Sequence, residues 1–158
     1  MSTPAVAAGT VYVGSVDRTL YALDADTGGV RWIFEADGAI ESSPAVANGL
    51  VYVGANDGFV YALHARDGGL AWRFQTGDMV RASPAVWASL ILVGSDDATV
   101  YGLDQRTGSL VWRYRTGDAI AAGAAVAEGR LFVGSIDRRL HAFDLESKEA
   151  EGDGTRGG

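Results

Sequence analysis

The chain repeats itself every 40 residues without insertion or deletion, and this regularity constrains its fold more than any other feature. Four residue types keep the same step along the chain. They are Gly14, Gly54, Gly94 and Gly134; Asp17, Asp57, Asp97 and Asp137; Trp32, Trp72 and Trp112; and Pro4, Pro44 and Pro84. A fixed period of this length indicates repeated supersecondary units that need neighbours to bury their faces. The repeat region, residues 1–148, divides into copies 2–41, 42–81, 82–121 and 122–148, of which the last is incomplete.

One copy reads as four short β-strands. In the second copy, β-branched and aromatic runs are separated by tight-turn signals such as Asn48-Gly49. The expected strands are residues 44–47, 50–54, 59–63 and 70–74. No window has the apolar spacing of an amphipathic helix. The sequence therefore predicts an all-β fold of four-stranded antiparallel meanders, and a 40-residue unit of this kind is typical of a β-propeller blade.

Composition narrows the possible functions. The chain has no cysteine, so disulfides and thiolate metal sites are not available. A net charge of −7 argues against binding to nucleic acid. No apolar run approaches the roughly 18 residues of a membrane span. The first residues show neither a signal-peptide pattern nor a lipidation cysteine, so the chain as written reads as cytoplasmic, but the sequence leaves the localisation unknown.

A family resemblance follows from the second half of each copy. Residues 22–32 read Ala-Leu-Asp-Ala-Asp-Thr-Gly-Gly-Val-Arg-Trp and resemble the A-x-D-x-x-T-G-x-x-x-W tryptophan-docking motif of pyrroloquinoline-quinone-like (PQQ-like) propellers. Residues 102–112 repeat the motif with Gly102 in place of alanine. Residues 62–72 are a looser copy, with His64 in place of the aspartate. Proteins of this family are often extracytoplasmic, so the localisation implied by the resemblance differs from the cytoplasmic reading of the chain as written.

The resemblance implies structural roles for the motif residues. In this family the tryptophan of the outer strand packs between adjacent blades, where a flat indole covers a large apolar area. The motif aspartates are expected to accept backbone N–H bonds in the turn, and the glycines to adopt positive φ. The implied docking residues are Trp32, Trp72, Trp112, Asp24, Asp104, Gly28, Gly68 and Gly108.

The enzymatic members of this superfamily are a poor match. Quinoprotein dehydrogenases are longer, hold calcium and quinone inside a complete propeller, and many carry a vicinal disulfide that this chain cannot make. His64 and His141 each stand at a repeat position. His64 is interpreted as a turn residue that replaces the usual aspartate, and His141 as a packing residue that replaces the usual tyrosine. The repeated aspartates (Asp17 and its equivalents) could bind calcium, but capping of their own turns is favoured. We therefore predict no catalytic, cofactor-binding or metal-binding residues, and no cofactor.

Positions that differ between copies are the candidates for partner contact. Trp87 replaces alanine in a turn between the first two strands of the third copy, where it either contacts a partner or fills a local hollow. Glu41, Arg81 and Ala121 share one register. Val16, Asn56, Asp96 and Ile136 share another. Both registers are expected on one rim of the propeller. That rim is either a binding face or the product of neutral drift, and the sequence favours neither.

The two ends leave the propeller incomplete. Copy four has no fourth strand, since Gly152 stands at the tryptophan position, and the polar tail 149–158 is expected to be disordered. Copy one begins at its innermost strand. PQQ-like propellers commonly have eight blades, so two chains joined head to tail would complete one ring. We predict this homodimer in preference to the alternative, a closed four-bladed monomer.

These observations favour a non-catalytic propeller scaffold that assembles through blade–blade interfaces and contacts a protein or ligand, with an unidentified protein partner. It resembles the propellers of outer-membrane assembly lipoproteins and of bacterial sensor domains. Two alternatives stay open: a fragment of a PQQ-dependent dehydrogenase-like enzyme, and a truncated or engineered repeat protein without a dedicated ligand.

Overall fold

Four separate antiparallel sheets follow one another along the chain. The computed structural model describes residues 2–146, and within them fifteen strands form three sheets of four strands and one of three. Blade 1 contains β1 Ala5–Ala7, β2 Thr10–Gly14, β3 Thr19–Asp24 and β4 Val30–Glu35. Blade 2 contains β5 Ala45–Ala47, β6 Leu50–Gly54, β7 Phe59–His64 and β8 Leu70–Gln75.

The second half of the chain repeats this arrangement. Blade 3 contains β9 Ala85–Trp87, β10 Leu90–Gly94, β11 Thr99–Asp104 and β12 Leu110–Arg115. Blade 4 contains β13 Ala125–Ala127, β14 Arg130–Gly134 and β15 Leu140–Asp144. Within residues 2–146 no helix has the length and apolar character needed to cross a membrane. The predicted tail, 149–158, lies outside the described residues.

Each blade is a meander because its strands are joined by turns too short for any other connection. In blade 2 the turn residues Asn48 and Gly49 both have positive φ, 50° and 76°. Such turns match the right-handed twist of the strands that they join. Ala47 pairs with Leu50 directly across this turn. The tight turn therefore fixes the register of β5 on β6.

The apolar core lies between blades rather than within them. Three clusters of buried residues each join one blade to the next. In the first, Leu20 and Trp32 of blade 1 pack with Val51 and Val53 of blade 2. The side chains alternate along each strand, so one face of a sheet meets the preceding blade and the other face meets the following blade. Stability therefore depends on neighbouring copies, as the 40-residue period predicted.

The glycines that end the second strand of each blade recur every 40 residues, and packing explains why a glycine is needed there. A Cβ atom added to Gly54 would lie 2.3 Å from Cγ1 of Val80, and one added to Gly94 would lie 2.2 Å from Cγ2 of Ile120. Val80 and Ile120 are fully buried and come from the linkers that lead to the next blade. A linker side chain thus covers the bare glycine backbone at each internal joint.

Candidate functional site

The tryptophans of the outer strands lie across the joints between blades. Trp32 is 9% exposed, and its Nε1 donates a hydrogen bond to the carbonyl oxygen of Ala65 in blade 2 at 3.0 Å. A Cβ atom on Gly68 would lie 2.6 Å from the Trp32 ring, and φ of Gly68 is +73°. This site therefore needs a glycine for two independent reasons, its backbone conformation and the closeness of the indole.

The second joint repeats this geometry. Trp72 is 8% exposed and donates to the carbonyl oxygen of Gln105 at 3.0 Å. A Cβ atom on Gly108 would lie 2.5 Å from the Trp72 ring. Trp112, 5% exposed, packs in the cluster between blades 3 and 4, with its ring centroid 6.0 Å from that of Phe143.

The third docking glycine differs from the other two. Gly28 has the same positive φ, +72°, but no atom of the described residues lies within 4 Å of its Cβ direction. Gly68 and Gly108 each lie under a tryptophan of the preceding blade, whereas Gly28 belongs to the first blade and stands at the end of the array. The structure thus pairs Trp32 with Gly68 and Trp72 with Gly108, and leaves Gly28 uncovered.

The motif aspartates organise their own turns. Oδ1 of Asp24 accepts hydrogen bonds from the backbone N–H groups of Asp26 and Thr27. Oδ2 of Asp24 lies 2.6 Å from Nη2 of Arg31. The hydrogen bonds of Arg31 and Thr27 hold the pKa of Asp24 well below its ordinary value. Asp104 makes the same turn, and the Thr107 hydroxyl and backbone N–H lower its pKa.

The repeated aspartates join the blades as well as capping their own turns. Oδ1 of Asp57 accepts a hydrogen bond from the backbone N–H of Phe59 at 3.0 Å. Its Oδ2 accepts from the Tyr61 hydroxyl at 2.7 Å and from the backbone N–H of Asp37, in the preceding blade, at 3.0 Å. The sequence predicted the capping but missed the bond between blades, because a donor 20 residues away becomes a neighbour only once the blades are stacked.

The same bond recurs at the other joints. The backbone N–H of Gly77 donates to Asp97 at 2.7 Å and that of Gly117 donates to Asp137 at 3.0 Å. These aspartates lie one to a blade, and residues 2–146 contain no group of three acidic or histidine side chains arranged to hold a metal ion.

His141 takes the place of the blade's usual tyrosine. Its Nε2 lies 2.9 Å from Oδ2 of Asp137, where Tyr61 bonds to Asp57 in blade 2. Desolvation works against ionisation of Asp137, but the hydrogen bonds of His141, Gly117 and Arg139 outweigh it and lower the pKa of Asp137 to about 2. His141 is therefore a hydrogen-bonding replacement as well as a packing one.

The variable positions on the rim contact one another. Nδ2 of Asn56 donates to Oε1 of Glu41 at 2.8 Å. Arg81 forms an ion pair with Asp96, with Nη2 and Oδ2 2.7 Å apart. In these two blades the residues at the two variable positions contact each other, and they differ between copies as a pair. Neither position shows this relation on its own. The residues predicted to contact a partner, Glu41 and Arg81, already have partners in their own chain.

The expectation that Trp87 lies in a turn was wrong. Trp87 is the last residue of β9 and pairs with Leu90 across the turn. It is half-buried and packs against the cluster between blades 3 and 4. The inner strand ends at this register in blade 2 as well, at Ala47, so Trp87 belongs to a strand and contributes to a joint.

A polar cleft lies on the rim beside the second joint. Its lining includes Asn56, Asp57, Gly77 and Met79, and it holds about 150 Å³. Cofactor sites are larger, roughly 300–1,000 Å³, and mostly apolar. The cleft is therefore too small and too polar for a quinone.

Blade 1 leaves one face open. Val11, Val13, Tyr21 and Leu23 form this open face of blade 1. They are only half-buried, whereas their counterparts in blade 2 are 4% exposed or less. Those counterparts are Val51, Val53, Tyr61 and Leu63. The difference arises because blade 2 has a preceding blade in the chain and blade 1 does not.

Blade 4 leaves the opposite face open. Phe132, Gly134, Leu140 and Ala142 form this open face of blade 4. Leu140 is 72% exposed, whereas Val60 and Val100 at the same register are fully buried. No atom of residues 2–146 lies within 4 Å of the position that a Cβ atom on Gly134 would take. Residues 2–146 therefore form an arc of four blades with an uncovered apolar face at each end.

Comparison with known proteins places this fold in a family. The sequence matches the profile of the PQQ repeat family described as outer membrane protein assembly factor BamB, over residues 1–97 and 96–151. The chain belongs to this PQQ-like repeat family. The predicted PQQ-like family and the predicted all-β fold are thereby confirmed. Comparison with curated protein sequences finds no match.

Solved structures show the same architecture. BamB from Moraxella catarrhalis is 27% identical and superimposes with a TM-score of 0.80, over 88% of this chain and 44% of that chain. The computationally designed protein Ika4 is 18% identical, with a TM-score of 0.82 and 92% of each chain covered. The designed protein Ika8 is 20% identical, with a TM-score of 0.81 over 90% of this chain and 45% of that chain. The PQQ-like chain described here thus spans less than half of the Moraxella BamB chain.

Proposed function

We propose that this PQQ-like chain is a non-catalytic propeller module that binds a second copy of itself, so that two arcs close one eight-bladed ring. The observation that carries the proposal is the pair of open faces. Leu140 is 72% exposed at a register that is fully buried in blades 2 and 3. Soluble proteins rarely leave apolar sheet faces of this kind uncovered.

The two open faces complement each other by repeat symmetry. At each internal joint, the face equivalent to that of blade 4 packs against the face equivalent to that of blade 1. Head-to-tail pairing of two arcs would repeat this packing at two symmetric joints and leave no face uncovered. Joints built like a domain core are typical of obligate dimers.

Chain length supports the same arrangement. The chain covers 44% of the Moraxella BamB chain and 45% of the Ika8 chain. Two copies would therefore span about the length of either protein. Closure of a single chain would have to bring together faces that the structure holds apart, including Leu140 and the half-buried Val13.

Two observations support the scaffold role: the family to which the chain belongs, and the engagement of its aspartates in structural hydrogen bonds. The family is described as an outer membrane protein assembly factor, which favours contact with proteins. The repeated aspartates, which are the candidates for calcium binding in this chain, are engaged in turns and joints, as Asp57 shows. The ring would present loop rims to an unidentified protein partner. Addition of pyrroloquinoline quinone and calcium should leave the melting temperature unchanged, and a saturable increase would support the enzymatic alternative.

The dependence of the melting temperature on protein concentration tests self-association. We expect it to rise with concentration for the parent chain, because a dimer is stabilised by mass action. Leu140→Glu places a charge on the open face of blade 4 and should abolish this dependence. Leu70→Glu is the matched control, since Leu70 is 50% exposed on the outer strand β8. The control should behave as the parent does, and a parent without concentration dependence would contradict self-association.

A further inference from the structure

The outer edge of blade 4 is an unpaired strand. In blade 1, β3 pairs with β4 on its outer side, and blades 2 and 3 have the same arrangement. Within residues 2–146, β15 pairs only with β14. A free strand edge offers a row of N–H and C=O groups to another extended chain. Blade 4 can therefore accept a fourth strand.

The three existing outer strands define what this edge accepts. They share an aliphatic residue first, tryptophan third and an aromatic residue fifth. They are Val30–Glu35, Leu70–Gln75 and Leu110–Arg115. At the corresponding positions, 150–155, the chain's own sequence reads Ala-Glu-Gly-Asp-Gly-Thr, with no aromatic residue. The tail therefore lacks the side chains that this place in a blade buries.

A place for the tryptophan of an added strand also exists. Trp32 lies on Gly68 and bonds to the carbonyl oxygen of Ala65. Gly28 and Ala25 occupy the equivalent positions of blade 1, and in the described part of the chain no atom lies within 4 Å of the position that a Cβ atom on Gly28 would take. In a closed ring, Gly28 of the partner subunit would lie beside β15. This step rests on the proposed eight-bladed ring.

Positive charge at the start of β15 determines which residue is preferred at the last position of an added strand. In blade 1, Thr19 pairs with Glu35, the last residue of the outer strand. Arg139 stands at the register of Thr19 and is exposed, as is the neighbouring Arg138. Opposite charges across a strand pair are favourable. The sixth position of an added strand is therefore matched to a carboxylate.

We infer that the edge of β15 and the uncovered Gly28 turn of the partner subunit form one binding site for an extended segment of another protein. The segment has the pattern aliphatic–x–Trp–x–aromatic–acidic and adds to blade 4 as its fourth strand. Backbone hydrogen bonds give the strand its affinity, and the tryptophan and the carboxylate give it specificity.

A synthetic peptide tests this site. A fluorescein-labelled peptide with the sequence of residues 28–37 carries the whole pattern and is titrated with the full chain by fluorescence anisotropy. We expect saturable binding of one peptide per chain. The peptide with Trp32→Ala should bind roughly tenfold more weakly or worse, because buried tryptophans dominate such interfaces.

A charge exchange tests the register. The peptide with Glu35→Arg should bind the parent chain more weakly than the unchanged peptide does. The chain with Arg139→Glu should restore its binding. Arg139 is exposed, and its bonds to Asp137 and Ser135 use its backbone N–H and carbonyl groups, so this substitution should leave the fold intact.

The results of these experiments distinguish a failure of the proposed peptide site from a failure of the proposed eight-bladed ring. Absence of saturable binding, or equal binding of the Trp32→Ala peptide to a chain of dimeric mass, overturns the inference and leaves the ring intact. A monomeric mass in light scattering overturns the ring, and tryptophan-dependent binding in that case still supports strand addition to β15. Loss of affinity on exchange of either charge, with recovery when both are exchanged, supports the register.

Discussion

At the residue scale, the tryptophan of each outer strand contributes much of the packing between two adjacent blades. Trp72 is 8% exposed, lies on Gly108 and bonds to the carbonyl oxygen of Gln105. We expect Trp72→Ala to lower the free energy of unfolding by about 3–5 kcal/mol through the cavity that it leaves. Trp87→Ala is the control, and it should cost less because the other three copies carry alanine there. Equal melting temperatures for Trp72→Ala and the parent would show that Trp72 does not dock the blades.

A second prediction at this scale concerns acid. The pKa of Asp137 is about 2 in the folded chain, below the ordinary 3.8. A carboxyl whose pKa is lowered by folding stabilises the fold above its unfolded pKa, and this contribution is lost as the pH falls through the folded value. The melting temperature of the parent should therefore drop between about pH 4 and pH 2. The drop should be shallower for Asp137→Asn, and parallel curves for the two proteins would contradict this role.

At the element scale, blade 4 lacks the strand that completes the others. β15 begins at Leu140, whereas β3 begins one register earlier, at Thr19, because Thr19 pairs with the outer strand β4. Replacing residues 147–155 by the sequence of residues 27–35 should add that strand, raise the melting temperature and abolish binding of the labelled peptide. Circular dichroism and anisotropy measure the two effects. An unchanged melting temperature would mean that the edge of β15 does not accept a strand of this pattern.

The elements of this fold were predictable from sequence because each is specified locally. Asn48-Gly49 determines a turn, and the β-branched and aromatic run over residues 50–54 determines a strand, so the strands of one copy predicted those of the other copies. The contact of Asp57 with Asp37 was not predictable, because its donor comes from another blade. The turn predicted for Trp87 was wrong although the strand expected over residues 44–47 includes its equivalent, Ala47, and the inner strand of every blade ends at this register.

At the scale of the whole molecule, the sequence predicted an incomplete ring, and the structure shows which side chains the missing neighbours would cover. The open face of blade 4 displays Leu140, and the open face of blade 1 displays Val13, at registers that internal joints bury completely. The ring itself stays a prediction. It accounts for both faces with the packing already present three times within the chain.

The molar mass in solution tests this account most directly. Size-exclusion chromatography coupled to light scattering, at micromolar concentration, should give 33 kDa, which is twice the chain mass of 16.5 kDa. The Leu140→Glu variant should give the mass of a single chain and Leu70→Glu that of two. A parent chain that elutes at 16.5 kDa and unfolds cooperatively would contradict the eight-bladed ring and favour closure at four blades.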